Sequence, residues 1–209
     1  MNVCGCLGCR SIASTVRGAG FWSDGQERVR SLTMAATGQG RASARVNVAG
    51  RGETNIATGV PVLDHLLSAL AVHASFDLAL EVAPGAPEAE ISIAARSLGE
   101  ALSEPLRAEG ARGHGSAVVP ADEALAHVAL EASGRPLLVS NVDLSEARIA
   151  GLAGDLAARF LDEFAQAAGL TLHVRLVEGR DTQHVLEAIF KALGVALAQA
   201  CRPRRREGE

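Results

Sequence analysis

Two periods of apolar residues alternate along this chain. Residues 44–48 alternate apolar with polar as a half-buried strand does, and Gly50 and Gly52 follow as a turn. "VPVLDHLLSALAVHA" changes to a period of three to four and predicts a helix over residues 61–73. "FDLALEV" alternates again as a strand, the Pro/Gly stretch "APGAPEAE" reads as a loop, and a second helix is expected over residues 91–106. Strand-like pieces follow at residues 122–131 and 136–142. The order then recurs, with "DLAARFLDEFAQAAG" a helix, "LTLHVRLVEG" a strand and "TQHVLEAIFKALGVALAQA" a long helix.

The recurrence is an internal repeat. "VLDHLL" corresponds to "FLDEFA", "FDLALEV" to "LTLHVRL", and "EAEISIAARSLG" to "QHVLEAIFKALG". Two helix–strand–helix units, each preceded by strands, predict an α+β domain of two related halves with helices on one face of the sheets. Repeated architecture often builds a site where equivalent residues converge.

Composition narrows the function classes. The chain has 209 residues, 48% of them apolar, enough for a buried core. Aromatic residues are 3%, with no tyrosine, so the core must be Ala, Val, Leu and Ile, and little is available to stack on nucleic-acid bases. A net charge of −4 and a pI near 5.9 give no general attraction to nucleic acid or anionic membrane. The basic tail "CRPRRREGE", residues 201–209, reads as a solvated, frayed terminus. No apolar run reaches the ~18 residues of a membrane span, and residues 1–33 lack the apolar core of a secretory signal, so a cytoplasmic protein is expected. "CGCLGC" places Cys4, Cys6 and Cys9 together without the second ligand pair of a zinc site. Residues 1–33 are therefore read as a disordered extension or a mis-assigned start, ending before Met34.

The candidate chemistry lies in six histidines, His65, His73, His114, His127, His173 and His184. In "EGRDTQHVLEAIFKAL", His184 and Glu187 share one face of a helix start. Side chains three apart project together, so they can deliver two ligands to a transition metal; imidazole with carboxylate suits Mn, Fe, Co or Zn. The same helix read without a metal makes Glu187 and Lys191 an i, i+4 surface ion pair.

Three segments, "TGVPVLDHLLSALAVHASFDLALEV", "DEALAHVALEASGRPLLV" and "GLTLHVRLVEGRDTQHVLEAIFKALGVAL", together resemble the imidazoleglycerol-phosphate dehydratase family, in order, from about Ser43 to Ala200. The resemblance implies a ribosomal S5 domain 2-like α+β fold over residues 34–200, with halves at about 43–115 and 116–200. It also implies a large homo-oligomer, with active sites at subunit interfaces and two manganese ions per site. The family is a hydro-lyase of histidine biosynthesis, converting imidazole glycerol phosphate to imidazole acetol phosphate. In it the metals hold the ring as an imidazolate, acid–base groups move the proton and expel hydroxide, and cationic side chains fix the phosphate.

Carried over residue by residue, the resemblance makes His65 in "LDHLL", His173 in "LHVR", and His184 and Glu187 in "QHVLE" metal ligands. Gln183 stands where a first histidine belongs, and Glu88, Ala89 and Ser92 stand where the first half of the family carries His, His and Glu. One metal would keep His65 and Glu187; the other would keep His173 and His184, with Glu88 as an added carboxylate. Glu187 and His73 are the acid–base candidates, and Arg135 in "SGRP", Lys191 and Arg112 beside Gly113 are the phosphate candidates. Asp122 and Glu123 in "DEAL" match the family with no chemistry assigned. The incomplete ligand set raises an alternative: a catalytically impaired relative that binds a phosphorylated small molecule or co-assembles with a complete family member. Changing Gln183→His, Glu88→His, Ala89→His and Ser92→Glu together is expected to rebuild the metal pair.

Overall fold

The structure, a computed structural model, describes residues 32–33, 36–37, 40–143, 148–149 and 152–204. The "CGCLGC" segment, Met34 and the last five residues of the basic tail lie outside the described residues.

The first sheet joins β1 (Leu32–Thr33), β2 (Ala36–Thr37), β3 (Gly40–Asn47), β4 (Thr54–Ala57) and, after helix α1 (Pro61–Ala74), β5 (Asp77–Val82). Its strands run in the order β1-β3-β5-β4, with β2 also on β3; β3 pairs antiparallel with β5, and β4 pairs parallel with β5. Helix α2 (Pro87–Leu106) leads to β6 (His114–Ala121), β7 (Ala124–Glu131) and β8 (Leu137–Ser140). The short pair β9 (Arg148–Ile149) and β10 (Leu152–Ala153), helix α3 (Gly154–Ala168), β11 (Thr171–Glu178) and helix α4 (Thr182–Cys201) complete the order. The second sheet runs β6-β7-β11-β8, with β7 antiparallel and β8 parallel to β11. Strands β3, β4 and β5 around α1 are thus repeated by β7, β8 and β11 around α3. The predicted α+β architecture of two related halves is the one observed.

The long helices α2 and α4 each span twenty residues, and the repeat aligns Pro87 with Thr182 and Gly99 with Gly194. Those glycines explain the packing. α2 lies on α3 and α4 on α1, each helix of one half against a helix of the other. A Cβ on Gly99 would stand 2.8 Å from the Phe164 carbonyl oxygen, and one on Gly194 would overlap the Leu70 carbonyl oxygen. Only glycine lets the backbones approach so closely. The core is not the purely aliphatic one expected from composition: Phe160, Phe164 and Phe190, all fully buried, fill its centre among Leu and Ala.

Local chemistry sets the element ends. Pro61 and Pro87 start their helices where a missing N–H costs nothing. The loop expected through Glu90 therefore ends at Ala86 and the helix starts four residues earlier than predicted: Pro87 reads as a loop residue but sits at N1, and Glu88 and Glu90 favour the positive helix end. Asp77, 5% exposed, accepts from Asn47 Nδ2 and the Arg51 and Glu53 amides at 2.7–3.1 Å, which folds the β3–β4 turn onto β5. The strand expected from Asp122 starts instead at Ala124, because Asp122 takes a left-handed turn conformation (φ 48°) between β6 and β7. Strands β1, β2, β4, β6, β9 and β10 are additional to the sequence expectation, and β1 corrects part of the disordered extension expected over residues 1–33, since Leu32 and Thr33 pair with β3. Helix α4 is long and apolar enough to cross a bilayer, but two-thirds of its apolar window is buried against β6, β7 and α1.

Candidate functional site

The start of α4 is built from its loop. Asp181 caps the helix, accepting from the Gln183 and His184 amides at 2.8 and 3.3 Å. Glu123, from the β6–β7 turn, accepts from the Asp181 and Arg180 amides at 2.9 and 3.3 Å and from His184 Nδ1 at 2.6 Å. His184 Nε2 lies 3.3 Å from Asp122 Oδ2, so both ring nitrogens face carboxylates. The Asp181 amide, then the His184 ring, hold Glu123 well below the usual carboxylate range, at about 2. In return the Glu123 hydrogen bond raises the His184 pKa, against a smaller desolvation effect. Such an imidazole is stabilised as imidazolium, the form with no lone pair for a metal.

One turn further on, α4 meets α1. Glu187 Oε1 receives Lys191 Nζ at 2.6 Å, and Glu187 Oε2 lies 4.0 Å from His65 Nε2. Lys191 is the leading cause of a lowered Glu187 pKa, with burial opposing it, so Glu187 stands as a carboxylate able to accept a proton. The His65 ring is 60% exposed and borders solvent beside it. His65, Glu187 and Lys191 therefore form one cluster, and the expected i, i+4 ion pair is part of it.

The other sequence candidates stand apart. His173 lies on β11 between Leu172 and Val174, which are buried towards the helices, so its own side chain projects from the opposite, open face. It shares that face with Val118, Leu137 and Val177, all more than half exposed. Within one chain His173 and His184 therefore do not meet. His73 spends its Nδ1–H on the Ala69 carbonyl at 2.8 Å, leaving Nε2 as its acceptor. Arg112 donates from Nε to His114 Nε2 at 3.0 Å near the C-terminal end of α4, while Lys191 sits mid-helix ten residues before that end, roughly 15 Å along the axis. Arg135 occupies the turn after β7, its backbone held by Ser133 and Thr171. Glu88 is exposed in the first turn of α2. The phosphate candidates are thus spread over three places on one chain.

Sequence reasoning missed Glu163. Its Oε1 accepts from Ser92 Oγ at 2.9 Å and Arg159 Nε at 3.1 Å, and its Oε2 from Arg96 Nε at 2.7 Å. The repeat itself carried the signal, since Glu163 occupies in "FLDEFA" the place of His65 in "VLDHLL".

Within one chain these residues do not come together as a dinuclear manganese centre. Among the described residues no group of three or more His, Cys, Asp or Glu side chains is placed to hold a metal ion. His184 is engaged at both nitrogens, Glu187 is neutralised by Lys191, and His173 faces away.

Comparison with known proteins agrees with the geometry of the scaffold. Residues 58–197 match the sequence profile of the family Imidazoleglycerol-phosphate dehydratase. The imidazoleglycerol-phosphate dehydratase of Syntrophobacter fumaroxidans is 42% identical over 182 residues, covering 82% of this chain and 90% of that protein. That of Pelobacter propionicus is 39% identical over 171 residues, covering 79% and 87%. The crystal structure of imidazoleglycerol-phosphate dehydratase from Staphylococcus aureus superposes with a TM-score of 0.75 at 28% identity, covering 83% of this chain and 99% of that one.

Proposed function

The chain belongs to the imidazoleglycerol-phosphate dehydratase family, a hydro-lyase family, and we propose that it binds a small phosphorylated imidazole compound in a site completed by a second copy of itself. The observation that carries this reading is the His65, Glu187 and Lys191 cluster at the α1–α4 crossing. It sets a carboxylate, an imidazole and an ammonium at one solvent-accessible edge, with the chemistry to hold an imidazole ring and an adjacent phosphate. Arg135 and Arg112 add cations that one chain does not bring to this cluster. His173 faces outward with exposed apolar residues, as a side chain presented to a neighbouring copy would. Assembly into a cytoplasmic homo-oligomer is therefore part of the proposal.

Elimination of water from imidazole glycerol phosphate is the reaction that membership suggests. When bound in that family, manganese would polarise the imidazole; here His65, His173, His184 and Glu187 are the retained candidates for holding it, and within one chain they do not come together. What this chain's own residues can do is bind and orient the ring and phosphate, with Glu187 as proton acceptor and His65 beside it. Isothermal titration calorimetry with imidazole glycerol phosphate tests the binding. Saturable binding that Glu187→Gln and Lys191→Ala both weaken is expected; no binding to the assembled protein would overturn the reading.

A second reading, full metal-dependent dehydration, is favoured by the 39–42% identity to proteins named as dehydratases. Its test is formation of imidazole acetol phosphate by the purified protein with added manganese, and rescue of a histidine auxotroph.

A further inference from the structure

The repeat relates two helix crossings, α1 on α4 and α2 on α3. Residue by residue it pairs His65 with Glu163, Glu187 with Ser92 and Lys191 with Arg96. At the first crossing the carboxylate belongs to α4, takes an ammonium from its own helix and faces an imidazole 4.0 Å away. At the second the carboxylate has moved to the other helix. Glu163 of α3 receives Ser92 and Arg96 from α2 and Arg159 from its own helix.

The two clusters differ in what they leave open. Both Glu163 oxygens are engaged, and Glu163 itself is only 12% exposed. Two guanidinium groups flank the one carboxylate, so the cluster carries a net charge of +1. A divalent cation approaching it meets like charge, at short range and with no free oxygen to ligate. Ser92 has no carboxylate to offer, and Gly99 about two turns beyond holds the two backbones too close for the helices to part.

We propose that Glu163, Ser92, Arg96 and Arg159 form a charge lock that has replaced a metal-binding half-site, so that this chain holds α2 on α3 by ion pairs and folds and assembles without a metal pair. The lock does not depend on which small molecule the α1–α4 cluster binds. The consequence is a protein whose two pseudo-symmetric crossings have separate duties, one open to ligand and one closed.

The test uses the full chain in its native assembly, after exhaustive EDTA treatment. Mn(II) is titrated and free metal followed by electron paramagnetic resonance, with thermal unfolding recorded alongside. The lock requires uptake of fewer than two Mn(II) per chain in the micromolar range and an α2–α3 packing that survives EDTA, read as a Tm that EDTA does not lower. Uptake of two Mn(II) per chain, or a Tm that EDTA lowers, would overturn it. A second arm compares Tm against sodium chloride for the natural protein and Glu163→Gln. The natural protein should lose Tm as salt screens the pairs, and the variant should start lower and respond less; equal Tm values and equal salt slopes would overturn the lock even if no metal bound.

Discussion

Glu123 accepts a hydrogen bond from His184 Nδ1 at 2.6 Å, so the turn between β6 and β7 fixes the imidazole at the start of α4. The same carboxylate takes the Asp181 and Arg180 amides, which makes one side chain the fastener of both the loop and the ring.

Glu123→Gln should therefore release His184. The raised His184 pKa means that the pair stabilises the fold below the ordinary histidine value, near ~6.5, and that this contribution fades as pH rises through the folded value. The depressed Glu123 pKa sets the other limit: the contribution fades again as pH falls towards about 2. Proton NMR titration of the histidine rings should show the His184 pKa dropping towards the ordinary value in the variant. An unchanged titration would show that Glu123 does not govern the ring.

Glu163 predicts an acid-side effect. Burial pushes its pKa up, but Ser92, Arg159 and Arg96 together pull it below the ordinary glutamate value. Ser92 and Arg96 face it from α2 and Arg159 from α3. A depressed carboxylate stabilises the fold above its unfolded pKa of ~4.3 and loses that contribution as pH falls through the folded value. Glu163→Gln should cost about 1.5–3 kcal/mol near neutral pH, the range for a hydrogen bond to a charged group. The gap in stability between the natural protein and the variant should then close below about pH 4. Urea unfolding across that range measures it, and a gap independent of pH contradicts the assignment.

The helix crossings make a third, sterically simple prediction. Gly194→Ala places a methyl group against the Leu70 carbonyl and should destabilise by about 1–3 kcal/mol, as overpacking does. Gly85→Ala, where nothing lies within 4 Å, should be close to neutral by the same denaturation measurement.

Periodicity made most of this fold legible. "FDLALEV" and "LTLHVRL" alternate because one face of β5 and of β11 is buried under helices, and the helical stretches carry their apolar stripes towards the same core. Short or ambiguous segments were less readable: β4 has only four residues, and Pro87 punctuates a loop and starts a helix equally well. Of the candidate site, residues on a single element, Glu187 with Lys191, could be paired from spacing. Of partnerships across elements, His65 with Glu187 follows from the resemblance rather than from spacing, and the others do not follow from either. Glu123 meets His184 only because the hairpin turn lands on the α4 cap, and Glu163 meets Ser92 only because Gly99 brings two helices together.

That last contact changes what is needed to restore a metal site. The four changes Gln183→His, Glu88→His, Ala89→His and Ser92→Glu supply the missing side-chain types, but Ser92→Glu would replace a hydrogen-bond donor to Glu163 with a second carboxylate. Two carboxylates at that spacing repel each other, and both would compete for Arg96 and Arg159 rather than present lone pairs to a cation. The fourfold variant should therefore unfold at a lower temperature than the natural protein and bind manganese weakly. Adding Glu163→Ala removes the opposing carboxylate and opens the crossing, so the fivefold variant should regain stability and take up Mn(II) in a titration followed by electron paramagnetic resonance. If the fourfold variant already bound Mn(II) as tightly as the fivefold one, Glu163 would not be what closes this half of the molecule to metal.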